Sequence, residues 1–439
     1  VWTVKLNDGW TFHNGEPVDA ESFVRAWNYA AYGPNATATG FFFAKVQGYD
    51  DLQGKNPKSK EMSGLKAIDD STIQVTLNDP FSSWPLVMSV TATFAPMAKA
   101  CLADIKACNS HPIGTGPYEI SGKWEHNNNI TVTKYADYAG DDAGSADEVE
   151  FKIYGDVATA FRDWQAGELD ITRTDPSQVP QAQAAAGDRI VQLDDGYFGY
   201  LGFPLFDPAF QDIRIRRALS LAIDEDTIIE QVQNGLAVRA KDVISPFVPG
   251  SRDDACEYCR YDPEEAKKLF DEAGGLPDNK ITIWYNNDGG HQQIMEAIGN
   301  GWHNVLGLDL EYKAEPFTPY LAALDAQKFD GPYRLAWGPD YPSPENYLDP
   351  VYGSGSTNYG KWEGPEHDKF LKLIEQGNAA PTIEDGISSY QAAADVVLDE
   401  MVVIPLYFRQ SFIVYSQTVD NVTFDPFRQV PVNEVTVTG

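Results

Sequence analysis

Between Ile281 and Tyr312 the chain reads strand, turn, helix, strand. Ile281–Tyr285 is an apolar run of strand length, and Asn286-Asn287-Asp288-Gly289-Gly290 is a turn. Ile294, Met295, Ile298, Trp302 and Val305 mark a helix stripe, and Leu308–Tyr312 is a returning strand. A helical crossover joins parallel strands and is right-handed. Parallel strands are covered on both faces. This one unit therefore points to an α/β sheet layered by helices.

The same alternation continues on both sides. Asp212 opens one helix, and Asp224 caps a second that stops at Asn234-Gly235. Asp262, Pro263 and Glu265 start a third, whose buried face is Ala266, Leu269, Phe270 and Ala273, with Gly274 as its stop. A helix around Pro319–Gln327 leads to a strand at Tyr333–Trp337. A long helix from Thr382 to about Glu400 leads to Val402–Tyr407 and then Phe412–Tyr415. The first part of the chain differs, with short strands among Gly, Asn and Pro turns. It opens with an expected hairpin of Trp2–Leu6 and Trp10–His13, and then a helix that Asp19 can cap, with Phe23, Trp27 and Ala30 on one face and Gly33-Pro34 as its stop. Two extended segments, Tyr197–Phe203 and Met401–Tyr415, bracket the α/β half. If both are crossings, the α/β domain is inserted into the first and the crossings form a two-stranded hinge.

Charge excludes some functions. The chain carries 33 Lys+Arg and 65 Asp+Glu, a formal net charge of −32. Such a surface repels phosphate backbones and anionic lipid, so no nucleic-acid partner is expected. No apolar run approaches the roughly 18 residues of a membrane-spanning helix. Four cysteines form two local pairs, Cys101/Cys108 and Cys256/Cys259. In an oxidising compartment each pair would close a small loop. A four-thiolate zinc site is the alternative, although the gap between Cys101 and Cys108 is poor finger spacing. A redox centre would need Cys256 and Cys259 at a helix start after a strand, and they lie in a polar loop.

Ligands of open α/β sheets bind beyond the carboxyl ends of strands. Tyr285 and Asn286 stand at one such end, before a helix. Trp337, Asp340 and Tyr341 stand at another, and Tyr407 and Arg409 lie on the second extended crossing. A carboxylate at Asp340 could pair with a ligand cation such as a peptide's α-ammonium, while Trp337 and Tyr341 supply apolar and cation–π contact. The plainer alternative is a solvated loop aspartate. Catalysis has little support. The histidines are scattered, with no HExxH and no close pair, so neither a metal nor another cofactor is indicated. No GxSxG elbow exists, because Gly353-Ser354-Gly355-Ser356 has the wrong register.

Several motifs occur in order: Trp2-Thr3-Val4-Lys5-Leu6, then Gly9-Trp10-Thr11-Phe12-His13-Asn14-Gly15-Glu16-Pro17-Val18, then Gly114-Thr115-Gly116-Pro117-Tyr118. Gly167-Glu168-Leu169-Asp170-Ile171 follows. Next come Asp212-Ile213-Arg214-Ile215-Arg216-Arg217-Ala218-Leu219 and Trp337-Gly338-Pro339-Asp340-Tyr341-Pro342. In this order the chain resembles the extracytoplasmic solute-binding proteins of the peptide/nickel/opine ABC importer family (family 5), of the dipeptide- and oligopeptide-binding type. The likeness covers nearly the whole chain.

The resemblance implies a type II periplasmic-binding-protein-like α/β fold with two lobes joined by a two-stranded hinge. An extra β-rich subdomain belongs to the first lobe. It places lobe I at residues 1–200 with the subdomain at about 20–150, lobe II at 201–405, and a return to lobe I at 406–439. It implies a monomer that captures short or medium peptides in the cleft between lobes and delivers them to a membrane ABC permease. Oligosaccharides are the alternative cargo, and a glycoside-hydrolase-like enzyme is the rival of another class. In peptide-binding relatives the aspartate matching Asp340 receives the ligand's ammonium, and Asn358-Tyr359 resembles another cleft segment. Relatives begin with a strand and an extended segment before the position of Trp2. The expectation is therefore that the chain starts inside lobe I. A lipid anchor upstream would hold the protein in the periplasm or at the outer face of the cell membrane. Pro204 departs from the family, which often carries Asn there, and this puts a hinge-side hydrogen bond in doubt.

Overall fold

The computed structural model describes residues 1–438 apart from Lys123, Glu125, Asp175, Ser354, Gly355, Ser356, Pro426 and Arg428. The Ser354–Ser356 part of the rejected elbow thus lies outside the described residues. The chain divides into two compact units. The first holds residues 1–191, 413–425 and 429–439, and the second holds 192–412 with a short return around Phe427. Both divisions fall inside long strands, Ile190–Gly202 and Val403–Tyr415.

In the first unit two small antiparallel sheets carry the β-rich character. One has Thr72–Val75 at its centre, between Trp2–Lys5 and Leu65–Asp69. The other is Tyr118–Ile120, Asn129–Lys134 and Glu148–Lys152. The hairpin expected at the N-terminus is not formed. Trp2–Lys5 pairs with Thr72–Val75 instead. The backbone of Phe12 is taken by Glu16 and that of His13 by Gly114, so this segment has no ladder left to offer. The helix Ala20–Ala31 does form as its capping signals demand. Asp19 accepts from the Ser22 N–H, and the Ser22 hydroxyl accepts from the Asp19 N–H. The Gly114-Thr115-Gly116 motif is a structural clip. His13 contacts the Gly116 carbonyl through Nε2 at 3.0 Å, and its Nδ1 accepts from the Gly114 N–H at 3.3 Å.

The second unit is the α/β layer. Its sheet runs Asp309–Glu315, Lys280–Asn286, Tyr333–Trp337, Ile190–Gly202, Val403–Tyr415 and Ile171–Thr174, with Ala237–Arg239 also paired to Val403–Tyr415. Lys280–Asn286 and Asp309–Glu315 pair in parallel around the helix Gln292–Leu306, as the crossover pattern requires. Tyr333–Trp337 runs parallel to Lys280–Asn286 and antiparallel to Ile190–Gly202. Val403–Tyr415 is one continuous strand where two pieces were expected. Helix caps match the sequence signals: Asp212, Asp224, Asp262 and Thr382 all accept from first-turn N–H groups. Gly274 takes φ +87° where the third helix stops. One apolar core fills the unit, including Phe198, Leu201, Ile283, Trp302, Leu348 and Val397. No helix among the described residues is long and apolar enough to cross a membrane.

Both cysteine pairs are disulfides, Cys101–Cys108 and Cys256–Cys259. The first joins two short helices of the first unit, and the second clips the loop that follows Asp253 in the second. Intact mass under non-reducing conditions should therefore lie about 4 Da below the four-thiol mass, since each bond removes two hydrogens. A mass matching four free thiols would contradict both bridges.

Candidate functional site

The strand Tyr333–Trp337 is apolar except for Arg334, and burial of a charge in a sheet centre demands partners. Arg334 is 4% exposed. Its Nη1 donates to Asn286 Oδ1 at 3.2 Å and its Nη2 to the Tyr197 hydroxyl at 2.6 Å. The Tyr407 phenol also interacts with the guanidinium. These partners stand on the three strands Lys280–Asn286, Ile190–Gly202 and Val403–Tyr415. The register sets Leu201 opposite Arg334, so Tyr197, Gly199 and Arg334 share one face. All three partners are neutral, and no carboxylate among the described residues lies within ion-pair distance of Arg334. Burial opposes its charge, but the Tyr407 and Tyr197 phenols more than offset this and hold it protonated.

Arg409 is different. Its guanidinium pairs with the buried Asp195 through Nε at 2.9 Å and Nη2 at 2.7 Å, and it lies 4.0 Å from the Tyr197 ring centroid. Ser411 Oγ and the Tyr197 N–H also donate to Asp195. Arg409 is thus neutralised locally while it braces Tyr197 from the face. His291 stands before the helix Gln292–Leu306 in the same electrostatic neighbourhood. Its pKa is lowered to about 3, first by burial, then by the charge of Arg334, with Arg409 adding and Asp288 opposing. Asn286 is held by its own turn, donating to Asp288 O and Oδ1 at 2.7 Å each. Tyr285 is buried beside Tyr312, with ring centroids 6.5 Å apart.

Beyond Trp337 the chain turns into the helix Pro344–Tyr352. Asn346, in the first turn of that helix and almost fully buried, organises the loop. Its Oδ1 accepts from the Asp340 N–H at 2.8 Å and from Trp337 Nε1 at 3.4 Å, and its Nδ2 donates to Asp340 Oδ2 at 3.4 Å. The Asp340 carboxyl pKa is raised by burial, with Asn346 opposing. Among the described residues no cation lies within ion-pair distance of Asp340. Tyr341 points elsewhere, donating to Glu345 Oε2 at 2.6 Å. Asn358 is spent on its own loop: it donates to Trp362 O at 3.1 Å and accepts from the Trp362 N–H at 3.0 Å. Tyr359 packs edge-on against Tyr333.

The structure therefore gathers Asn286, Tyr407, Arg409 and the unanticipated Arg334, Tyr197, Asp195 and His291 around one patch of the sheet, with Asn286 at the carboxyl end of its strand and Arg334 second in its own. Asp340 and Trp337 sit together on Asn346, while Tyr341 and Asn358 serve local loops. The signal for Arg334 was a single charge inside Tyr333-Arg334-Leu335-Ala336-Trp337. Among the described residues no group of acidic, histidine or cysteine side chains could hold a metal ion.

This α/β arrangement sets charged side chains near strand ends, where open α/β sheets bind their ligands. Residues 1–359 match the model of the bacterial extracellular solute-binding proteins, family 5, and the chain belongs to that family. It is 26% identical over 430 residues to the oligopeptide-binding protein OppA of Bacillus subtilis, covering 93% of this chain and 76% of that protein. It is 27% identical over 441 residues to the dipeptide-binding protein DppE of the same organism, covering 97% and 79%. Among solved structures, the ABC transporter substrate-binding protein CtaP of Listeria monocytogenes superposes with a TM-score of 0.84 at 21% identity, covering 100% of this chain and 88% of that one. Haemophilus influenzae OppA in complex with RPPGFSPFR gives 0.75 at 20% identity, covering 99% and 87%. The fold is the type II periplasmic-binding-protein-like fold of these proteins.

The position of His291 has a measurable consequence. Its folded pKa lies below the unfolded value of about 6.5, so the unfolded chain takes up a proton that the folded chain refuses. Stability is therefore lost as pH falls from about 6.5 toward about 3, by up to about 1.4 kcal/mol per pH unit. In His291→Gln the drop in unfolding free energy between pH 7 and pH 4.5 should shrink by about 1–2 kcal/mol. Denaturant titrations at the two pH values measure it, and an unchanged drop would remove His291 as the source.

Proposed function

We propose that this protein is the peptide-binding component of an ABC importer, and that it holds the ligand by its two charged ends. One observation carries the reading. A half-buried carboxylate, Asp340, and a buried guanidinium, Arg334, lie six residues apart on one strand and its following loop, and among the described residues neither has a partner of opposite charge. Burying either charge unpaired is costly, so each is ready for a ligand group of opposite sign. A peptide zwitterion offers an ammonium and a carboxylate at once, and a neutral oligosaccharide offers neither. The relatives named for oligopeptides and dipeptides support the same cargo. Trp337 would pack on the ligand beside Asp340, and the peptide backbone would supply most remaining contacts. The role is capture and delivery to a membrane permease without turnover of the ligand. The two disulfides fit an extracytoplasmic, oxidising compartment.

The test is affinity for Ala-Ala-Ala with a free or an acetylated N-terminus, by titration calorimetry. Asp340→Ala should weaken the free peptide by about 3 kcal/mol, roughly 100-fold, and leave the acetylated one nearly unchanged. Equal losses for both peptides would remove Asp340 as the ammonium receptor. Hydrolysis of the peptide during titration would instead argue for an enzyme.

A further inference from the structure

Glycine recurs at every third position of the strand that carries Tyr197: Gly196, Gly199 and Gly202. At each, a tyrosine fills the space of the absent side chain. A Cβ would stand 2.8 Å from the Tyr347 hydroxyl at Gly196 and 2.8 Å from Tyr407 Cζ at Gly199, and at Gly202 it would run into the Tyr333 ring. Tyr347 donates its hydroxyl to the Gly196 carbonyl at 2.6 Å, and Tyr333 belongs to the core. These two rings serve packing.

Tyr407 is placed for something else. It lies on the face that Gly199 shares with Tyr197 and Arg334, and its phenol interacts with the Arg334 guanidinium. The bare backbone of Gly199 lets the ring sink onto the strand, and the depth of the ring sets where the hydroxyl meets the arginine. All three ring-carbon contacts to a Cβ at this position would be between 2.8 and 3.1 Å, closer than real Cβ atoms comfortably come. A hydroxyl whose oxygen faces a guanidinium turns its proton away from that cation, toward a further acceptor. A ligand carboxylate has a second oxygen to accept it, whereas a terminal amide offers an NH₂ donor in its place.

We propose that Tyr407, positioned by the missing side chain of Gly199, is a specificity-determining residue that favours a carboxylate over an amide at the ligand end bound by Arg334. The inference rests on the two-ended reading given above for Arg334.

Titration calorimetry with Ala-Ala-Ala and its C-terminal amide tests it on the intact protein. The wild type should prefer the acid. Tyr407→Phe keeps the ring over Gly199 and removes only the hydroxyl, so it should cut the acid-to-amide preference about tenfold while changing amide affinity much less. Gly199→Ala should cut the preference similarly by lifting the ring. A purely structural role would weaken both ligands alike and leave their ratio intact. An unaltered ratio in Tyr407→Phe would overturn the role of Tyr407 while leaving Arg334 as the carboxylate receptor. Should Gly199→Ala fail to fold, Tyr407→Phe decides alone. A wild type that binds acid and amide equally, or binds neither, would instead overturn the reading of Arg334 and this inference with it.

Discussion

A guanidinium buried at the centre of a sheet is the constraint around which the second unit is arranged. Arg334 reaches from its own strand to side chains on three others, Asn286, Tyr197 and Tyr407. Stranded without those acceptors, the charge would cost several kcal/mol. Each acceptor is in turn fixed by something else. Asn286 is clamped by Asp288, Tyr197 is braced by Arg409, and Tyr407 rests on Gly199. Arg409 can brace without adding charge because Asp195 neutralises it. The result is a cation kept charged by neutral groups alone.

Asp340 is prepared by the opposite means. Burial disfavours its charged form, and a single amide, Asn346, supplies the partner that the sequence context does not. Asn346 also fixes the loop backbone and the Trp337 indole. One buried residue in a helix's first turn thus couples the carboxylate to the aromatic beside it. The two prepared charges have opposite sign. Arg334 stands near the start of its strand, and Asp340 lies in the loop beyond the carboxyl end of that strand, where open α/β sheets bind their ligands.

The net charge of −32 does little of this work. Most of those carboxylates are exposed and screened by salt. In the proposed function, recognition turns instead on the pair of groups that the fold draws out of water and, among the described residues, leaves without a counter-charge. Glycine plays a comparable hidden role. Gly199 and Gly202 look like weak points in a strand, yet each is the floor under a tyrosine ring.

Much of the architecture was legible before any coordinates. Helix caps at Asp19, Asp212, Asp224 and Asp262, the crossover unit, and the strand Tyr333–Trp337 follow from hydrophobic period and local hydrogen-bonding chemistry, which act over a few residues. Asp340 could be singled out because strand ends are readable. The partner of Trp2–Lys5 could not, because pairing with Thr72–Val75 is a long-range choice among several exposed ladders. Nor could the duties of Tyr341 and Asn358, which depend on whether Glu345 and Trp362 compete for them. Sequence alone determined which segments are helices and strands and which strand end would carry a carboxylate. Only the tertiary structure decided that Arg334 is buried without a counter-charge among the described residues, that Arg409 is paired with Asp195, and that Gly199 lies beneath Tyr407. Electrostatic pairing and close packing join residues far apart in the chain, and no local pattern records them.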